Sequence, residues 1–207
     1  MQLKFPRIMA KPSAGLQWQS CRPCLWLLSH LSLPAGYIGL LFYALVWEAG
    51  NIVSLPTKQI GFYNFCLWNQ KAEELDCLPF KDLEKLGISK VALVLSRVCV
   101  YSTPVLCLFV ATTVLQALWF KDKDGWKLVR NLLVVVTVIL PVGLALFSLQ
   151  TRRWIHVSEL GEVFAALAGA QVLLLLHEII TAMYLAQFKD TLSPEELFPP
   201  KGPLRSV

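Results

Sequence analysis

The sequence predicts an all-α membrane protein: a four-helix transmembrane bundle with both termini cytoplasmic and a small, disulfide-clamped extracellular β-sheet from the first outside loop. Three observations predict this fold class. Of the 207 residues, 56% are hydrophobic and 16% are charged, whereas soluble domains carry about 25% charged residues. Four apolar segments are long enough to cross a bilayer. The polar loop between the first two segments contains a cysteine pair, Cys66 and Cys77.

Each predicted span is an apolar run, and the four runs cover residues 25–47, 98–120, 131–151 and 163–188. About 20 predominantly apolar residues cross the hydrocarbon core, so each run is long enough. In lipid each must be a helix, because no water is present to satisfy the backbone groups. The first span has no Lys, Arg, Asp or Glu, and His30 and Pro34 interrupt its apolar pattern. Pro104 and Pro141 predict local kinks in the second and third spans.

The spans divide the chain into three parts. Residues 1–24 form a cytoplasmic N-terminal segment, residues 25–188 the transmembrane domain, and residues 189–207 a flexible cytoplasmic tail with four prolines. Within the domain, the extracellular loop 48–90 contains an aromatic, alternating stretch, Gln59–Trp68, that is typical of strands. About forty residues cannot build an independent core, so we expect the strands to pair with each other and rest on the helix ends.

The distribution of basic residues predicts the orientation. The N-terminal segment, the connector between the second and third spans, and the tail together contain eleven Lys and Arg residues, whereas the loop 48–90 and the connector between the third and fourth spans contain seven. The positive-inside rule therefore places both termini in the cytoplasm. The cysteine pair indicates the same orientation, because disulfides persist in oxidising compartments. The net charge of +5 lies beside the spans, where it meets anionic lipid headgroups, and requires no nucleic acid.

Cys66 and Cys77 lie eleven positions apart in the outside loop. A disulfide between them closes a short loop and stabilises it by about 3 kcal/mol in the chain-entropy model. The alternative is two free cysteines that never meet.

These residues resemble the pattern of the claudins and of the related peripheral myelin and epithelial membrane proteins. The resemblance is carried by Trp47, by Gly61, Phe62 and Tyr63, and by the two cysteines that follow. It implies four helices, a long first and a short second outside loop, and a disulfide in the first. Tyr63 stands where that family has Trp. Two phrases, Leu41–Asn51 and Gly61–Asn69, are closer still to a second four-span family, that of transmembrane protein 140.

Several other residues are candidates for chemistry or packing. Glu178 lies about 15 Å deep in the fourth span by helix rise, and intramembrane carboxylates often mark function. The alternative is a hydrogen-bonded Glu that faces neighbouring helices near Gln116 or Thr137. His177 points about 100° away from Glu178, so the two are not an obvious dyad. Arg97, at the outer end of the second span, is expected either to snorkel to headgroups or to pair with acidic loop residues.

Two short motifs carry further predictions. Gly161, Ala165 and Gly169 recur every four residues and let helix backbones approach closely, within the bundle or between copies. Cys21 and Cys24 lie on the cytoplasmic rim of the first span, where they are candidates for palmitoylation or remain plain thiols.

The sequence therefore predicts a multi-pass protein of the plasma membrane or an endomembrane that acts through protein contacts in adhesion, scaffolding or trafficking. Its expected partners are the lipid bilayer and other membrane proteins, including further copies of itself, and not nucleic acid. We expect no catalysis, cofactor or metal, since the sequence has no phosphate loop, His-rich cluster or nucleophile elbow. The alternative is a small channel or transporter that uses Glu178 and His177.

Overall fold

Long helices account for most of the chain. The computed structural model describes residues 14–70, 73–80, 82–83, 87–120 and 123–190, with side chains from Trp26 onward except those of residues 157 and 188–190. The helices are α1 (Ala14–Phe42), α2 (Lys90–Phe120), α3 (Lys123–Thr151) and α4 (Glu162–Asp190). A π-helical turn, Tyr43–Trp47, extends α1, and a single 3-10 turn, Val157–Glu159, precedes α4.

All four helices are long and apolar enough to cross a membrane, with mean hydropathies of 1.3, 2.0, 2.7 and 2.0 in chain order. Their exposed side chains are largely apolar, as expected for surfaces that face lipid, for example Phe109, Val142 and Ile179. This confirms the predicted four-helix membrane bundle. Helices α2 and α3 begin at Lys90 and Lys123, ahead of the apolar runs from which their spans were predicted. Pro104 and Pro141 lie inside continuous helices.

Helices α2 and α3 pack closely against each other, and a glycine makes this possible. A Cβ atom on Gly143 would lie 2.7 Å from Cγ2 of Val100 and 2.9 Å from Cβ of Cys99. The Ser96 hydroxyl donates to the Gly143 carbonyl oxygen at 2.7 Å. Helices α1 and α4 contact one another in a similar way, with Gly36 against Leu173 and Gly169 against Leu40. Small residues thus set the spacing of both helix pairs.

A four-stranded antiparallel sheet covers the end of the bundle where α2 begins. Its strands, in spatial as well as chain order, are β1 (Val53–Leu55), β2 (Lys58–Ile60), β3 (Phe65–Asn69) and β4 (Glu74–Cys77). In the register of β3 and β4, Cys66 lies opposite Cys77 and Trp68 opposite Leu75. A disulfide joins Cys66 to Cys77, which confirms the predicted clamp and the predicted strands.

The two faces of the sheet differ because successive side chains alternate. The proximal face carries Val53, Ile60 and Phe65, which are buried against the helices. We call the opposite side, with Ser54, Gln59, Trp68, Leu75 and the disulfide, the distal face. Its residues Trp68 and Leu75 are 43% and 37% exposed.

Candidate functional site

The segment Gly61–Phe62–Tyr63 anchors the sheet to the helices. Phe62 is fully buried. The centre of its ring lies 4.7 Å from the ring centre of Phe147 and 6.0 Å from that of Tyr101. Gly61 touches the backbone of the preceding loop, where a Cβ atom would lie 2.6 Å from the Gly50 carbonyl oxygen. The predicted family motif is therefore a structural anchor at these positions. Trp47, its remaining member, is 82% exposed at the end of the π-helical turn.

Arg97 holds the same anchor from α2. Its Nε donates to the Phe62 carbonyl oxygen at 2.5 Å, and its guanidinium lies 4.7 Å from the ring centre of Tyr63 and 4.6 Å from that of Phe80. The sequence predicted either snorkelling or an acidic partner; the structure shows a hydrogen bond to a backbone carbonyl, which neither alternative included. A backbone acceptor leaves no mark in the sequence, so pattern analysis could not identify it.

Lys58 on β2 links the sheet to the connector between α3 and α4. Its Nζ donates to the Trp154 carbonyl oxygen and to Oε2 of Glu159, both at 2.6 Å. The two charged side chains are 17% and 24% exposed. The backbone N–H of His156 donates to the same carboxylate at 2.9 Å. That bond and the Lys58 ammonium lower the pKa of Glu159 below its ordinary value of 4.5.

These attachments leave the distal face open. Trp68 and Leu75 are directly opposed on neighbouring strands, two residues along from the disulfide-bonded pair and on the same face. Strand β4 is exposed at all four positions and forms one edge of the sheet. An exposed Trp beside an exposed Leu on a rigid strand pair can be buried by a partner surface. The two side chains form an exposed apolar patch on the distal face.

A second polar group lies inside the bundle. His30 of α1 and His177 of α4 are 1% and 0% exposed, and His30 Nδ1 lies 3.1 Å from His177 Nε2. The Tyr37 hydroxyl lies 3.5 Å from the other ring nitrogen of His177. Aromatic rings surround His30, namely those of Trp26, Trp126 and Tyr184. In the sequence, His30 stands out only as an interruption of its span. Buried polar groups need partners. The occurrence of one histidine in each of two otherwise apolar spans is therefore the sequence signal that could have predicted the pair.

Glu178 belongs to a different group. The Thr137 hydroxyl of α3 donates to Oε2 of Glu178 at 3.2 Å, so Thr137, one of the two predicted neighbours, is a partner. Gln171 Nε2 donates to the Thr137 carbonyl oxygen at 3.0 Å. His177 faces α1 while Glu178 faces α3, and the structure does not bring them together.

The remaining candidates lie apart from both groups. Gly169 contacts α1, Gly161 approaches the Ile52 carbonyl oxygen, and Ala165 is exposed. Cys21 and Cys24 belong to α1, and their side chains lie outside the described residues. Among the described side chains, no three His, Cys, Asp or Glu residues converge as ligands for a metal ion.

The four apolar helices and the clamped sheet define a multi-pass integral membrane protein. A family model described as the TM140 protein family matches residues 19–196, which is most of the chain. The chain therefore belongs to the TM140 protein family, and the resemblance seen in Leu41–Asn51 and Gly61–Asn69 is confirmed. The likeness to claudins stays a prediction.

Proposed function

We propose that this protein acts without catalysis, by holding the distal face of its sheet against other membrane proteins in adhesion, scaffolding or trafficking. The observation that carries the proposal is the pair of opposed, exposed side chains Trp68 and Leu75 beside the disulfide. Aromatic side chains dominate the energy of protein interfaces when a partner buries them.

Rigidity supports the same proposal. The sheet is held by the Cys66–Cys77 disulfide, by the Arg97 bond to Phe62 and by the Lys58 bonds to the α3–α4 connector. A surface that is already ordered loses little conformational entropy when it binds. The exposed edge strand β4 carries Glu74 and Asp76, and charged residues at an edge discourage unspecific strand pairing. The distal face is thus suited to a defined partner.

Proximity labelling from the sheet tests this function. Trp68→Ala combined with Leu75→Asp removes the exposed pair, whereas Leu55→Asp changes a residue of similar exposure that lies on the other face of the sheet. We expect the double variant to reach the membrane normally and to lose specific neighbours that wild type and Leu55→Asp retain. An identical set of neighbours in all three proteins would rule out the distal face as the contact surface.

We also propose that the sheet is extracellular or lumenal and that both termini are cytoplasmic. The first helix begins and the last helix ends at the end of the bundle opposite the sheet, and the positive-inside rule applied to the sequence favours the cytoplasm for that end. Epitope tags at either terminus should bind antibody only after cells are permeabilised, while a tag inserted between β3 and β4 should bind on intact cells or in opened vesicles. Binding of the terminal tags on intact cells, with the inserted tag reached only after permeabilisation, would contradict this orientation.

Transport remains the alternative function, and the contacts of its two candidate residues do not favour it. His177 meets His30, and Glu178 meets Thr137 on another helix. We expect no ion flux in reconstituted vesicles. Flux that disappears in Glu178→Gln would support transport and overturn the contact function.

A further inference from the structure

We propose that Glu178, with the side of α4 on which it lies, binds a membrane-spanning helix of another protein that carries a lysine or arginine near the middle of the bilayer. This contact lies within the membrane and is independent of the contact function of the distal face.

Glu178 lies near the centre of its membrane span. It comes sixteen residues after the start of α4, which has 29 residues. At a rise of about 1.5 Å per residue, this position is about 24 Å along a helix of about 43 Å. A carboxyl group at this depth is costly, and such groups usually pair with another polar or charged group. Both of its oxygens therefore need a partner.

Among the described residues, Glu178 has one donor, and that donor is shared. The Thr137 hydroxyl lies 3.2 Å from Oε2 of Glu178, and it also lies 2.9 Å from the carbonyl oxygens of Leu133 and Val134. A hydroxyl has one proton to donate. Within the described part of the chain, Oε1 has no hydrogen-bond partner and is not enclosed by protein, and the side chain is half-buried. Because hydrocarbon contains no water, a partner for Oε1 must come from a molecule that packs against this surface.

The nearby amide of Gln171 is engaged elsewhere. Pro141 has no N–H group, so the carbonyl oxygen of Thr137, four positions earlier, has no helical donor. Gln171 Nε2 donates to that oxygen at 3.0 Å. The Gln171 amide thus repairs the break in α3 and is bonded there rather than to Glu178.

The surface around Glu178 suits another helix. One stripe of α4, with residues at intervals of three and four, lies on a single side of the helix: Ala168, Gln171, Leu175, Glu178 and Ala182. The structure buries none of the five, since two are exposed and three are half-buried. The small residues at both ends let a helix backbone approach closely. A polar residue between them then selects a partner with a matching group.

The matching group for a carboxylate is a cation, and this chain does not supply one at the right depth. The four apolar runs contain no Lys or Arg. On α3 the nearest is Arg130, seven residues before Thr137 and about 10 Å away along the helix. A second copy in the same orientation therefore places no cation level with Glu178, and the cations of lipids lie in the headgroup region. The partner is thus a span of a different protein.

Energy transfer in vesicles tests the proposal. The full chain carries a donor fluorophore on a C-terminal tag and is reconstituted in phosphatidylcholine vesicles. The probe is a synthetic leucine–alanine helix of about 20 residues with one central lysine and an acceptor fluorophore. Two control peptides carry a central leucine or a lysine near one end. We expect saturable transfer with the central-lysine peptide and about tenfold weaker association of both controls. Equal association of either control would overturn the proposal.

Variants assign the association to Glu178. Glu178→Gln keeps the size of the side chain and an acceptor for Thr137, and should weaken association about tenfold. Ala168→Leu crowds the stripe at an exposed position and leaves Glu178 in place, and should weaken association several-fold. Glu162→Gln removes a carboxyl group from the start of α4 and should associate as wild type does.

Two outcomes would contradict the proposal. One is unchanged association of the central-lysine peptide with either Glu178→Gln or Ala168→Leu. The other is energy transfer between two labelled copies of the wild-type chain that disappears in Glu178→Gln, because it would assign this surface to self-association.

Discussion

Individual polar residues inside the bundle act in pairs that join different helices. His30 meets His177 between α1 and α4, and Thr137 meets Glu178 between α3 and α4. Hydrogen bonds of this kind contribute modestly in membranes, yet a partner left alone in an apolar interior is costly. The pairs therefore fix which helix faces meet, and this role requires no transport path.

The histidine pair predicts a non-additive response to substitution. His30→Phe or His177→Phe leaves one buried ring nitrogen without its partner, and we expect each to lower the free energy of unfolding by about 1–3 kcal/mol. The double variant removes both polar groups, so its loss in free energy of unfolding should be smaller than the sum of the losses in the two single variants. Unfolding of the purified protein in detergent measures the three values. Strict additivity would show that the 3.1 Å contact contributes nothing.

The disulfide predicts equal phenotypes for its two cysteines. Cys66→Ser and Cys77→Ser each open the link between β3 and β4, and removing it costs about 3 kcal/mol in the chain-entropy model. We expect both variants to be retained inside the cell to the same extent. The measurement is surface biotinylation of each variant against total protein. Different retention, or alkylation of both thiols in the intact protein, would contradict the clamp.

At the scale of elements, close helix contacts and charged links between loops hold the architecture. Gly143 brings α2 and α3 together, and Lys58 joins β2 to the connector that leads into α4. The contact at Gly143 depends on shape alone, whereas the link made by Lys58 depends on charge. They predict different responses to substitution and to pH.

Gly143→Ala should separate α2 from α3. The added Cβ would overlap the Cβ of Cys99 and a methyl group of Val100, and overpacking of this kind costs about 1–3 kcal/mol. Gly39→Ala is the matched control, because a Cβ there meets nothing within 4 Å and alanine favours a helix over glycine. Thermal unfolding in detergent should show a lower midpoint for Gly143→Ala and no loss for Gly39→Ala. Equal midpoints would refute the close contact.

The Lys58–Glu159 link should weaken in acid. The pKa of Glu159 lies below 4.5 in the folded protein, so its contribution is present above the unfolded value and is lost as the pH falls through the folded one. Thermal midpoints measured from neutral pH to pH 3 should show this loss in wild type and less of it in Glu159→Gln. Asp76→Asn, which removes an exposed carboxylate from β4, should keep the wild-type profile. Parallel profiles for wild type and Glu159→Gln would argue against the link.

For the molecule as a whole, the fold could be predicted from local patterns in the sequence. Long apolar runs predicted the helices, and the aromatic stretch with Cys66 and Cys77 predicted the clamped sheet. The contacts that hold the sheet to the bundle were not predictable in the same way. Arg97 binds a backbone carbonyl, and Lys58 reaches Glu159 about a hundred positions away. Such pairings depend on the folded arrangement of the loops and not on any local spacing.

The distal face is the surface through which the whole molecule is proposed to act. Photocrosslinking from position 68 tests most directly whether this face contacts other proteins. A photoreactive amino acid replaces Trp68 in cells, and the same substitution at Leu55 is the control. We expect discrete crosslinked protein species from position 68 that are absent from position 55. No protein adduct at position 68 above the level at position 55 would contradict it.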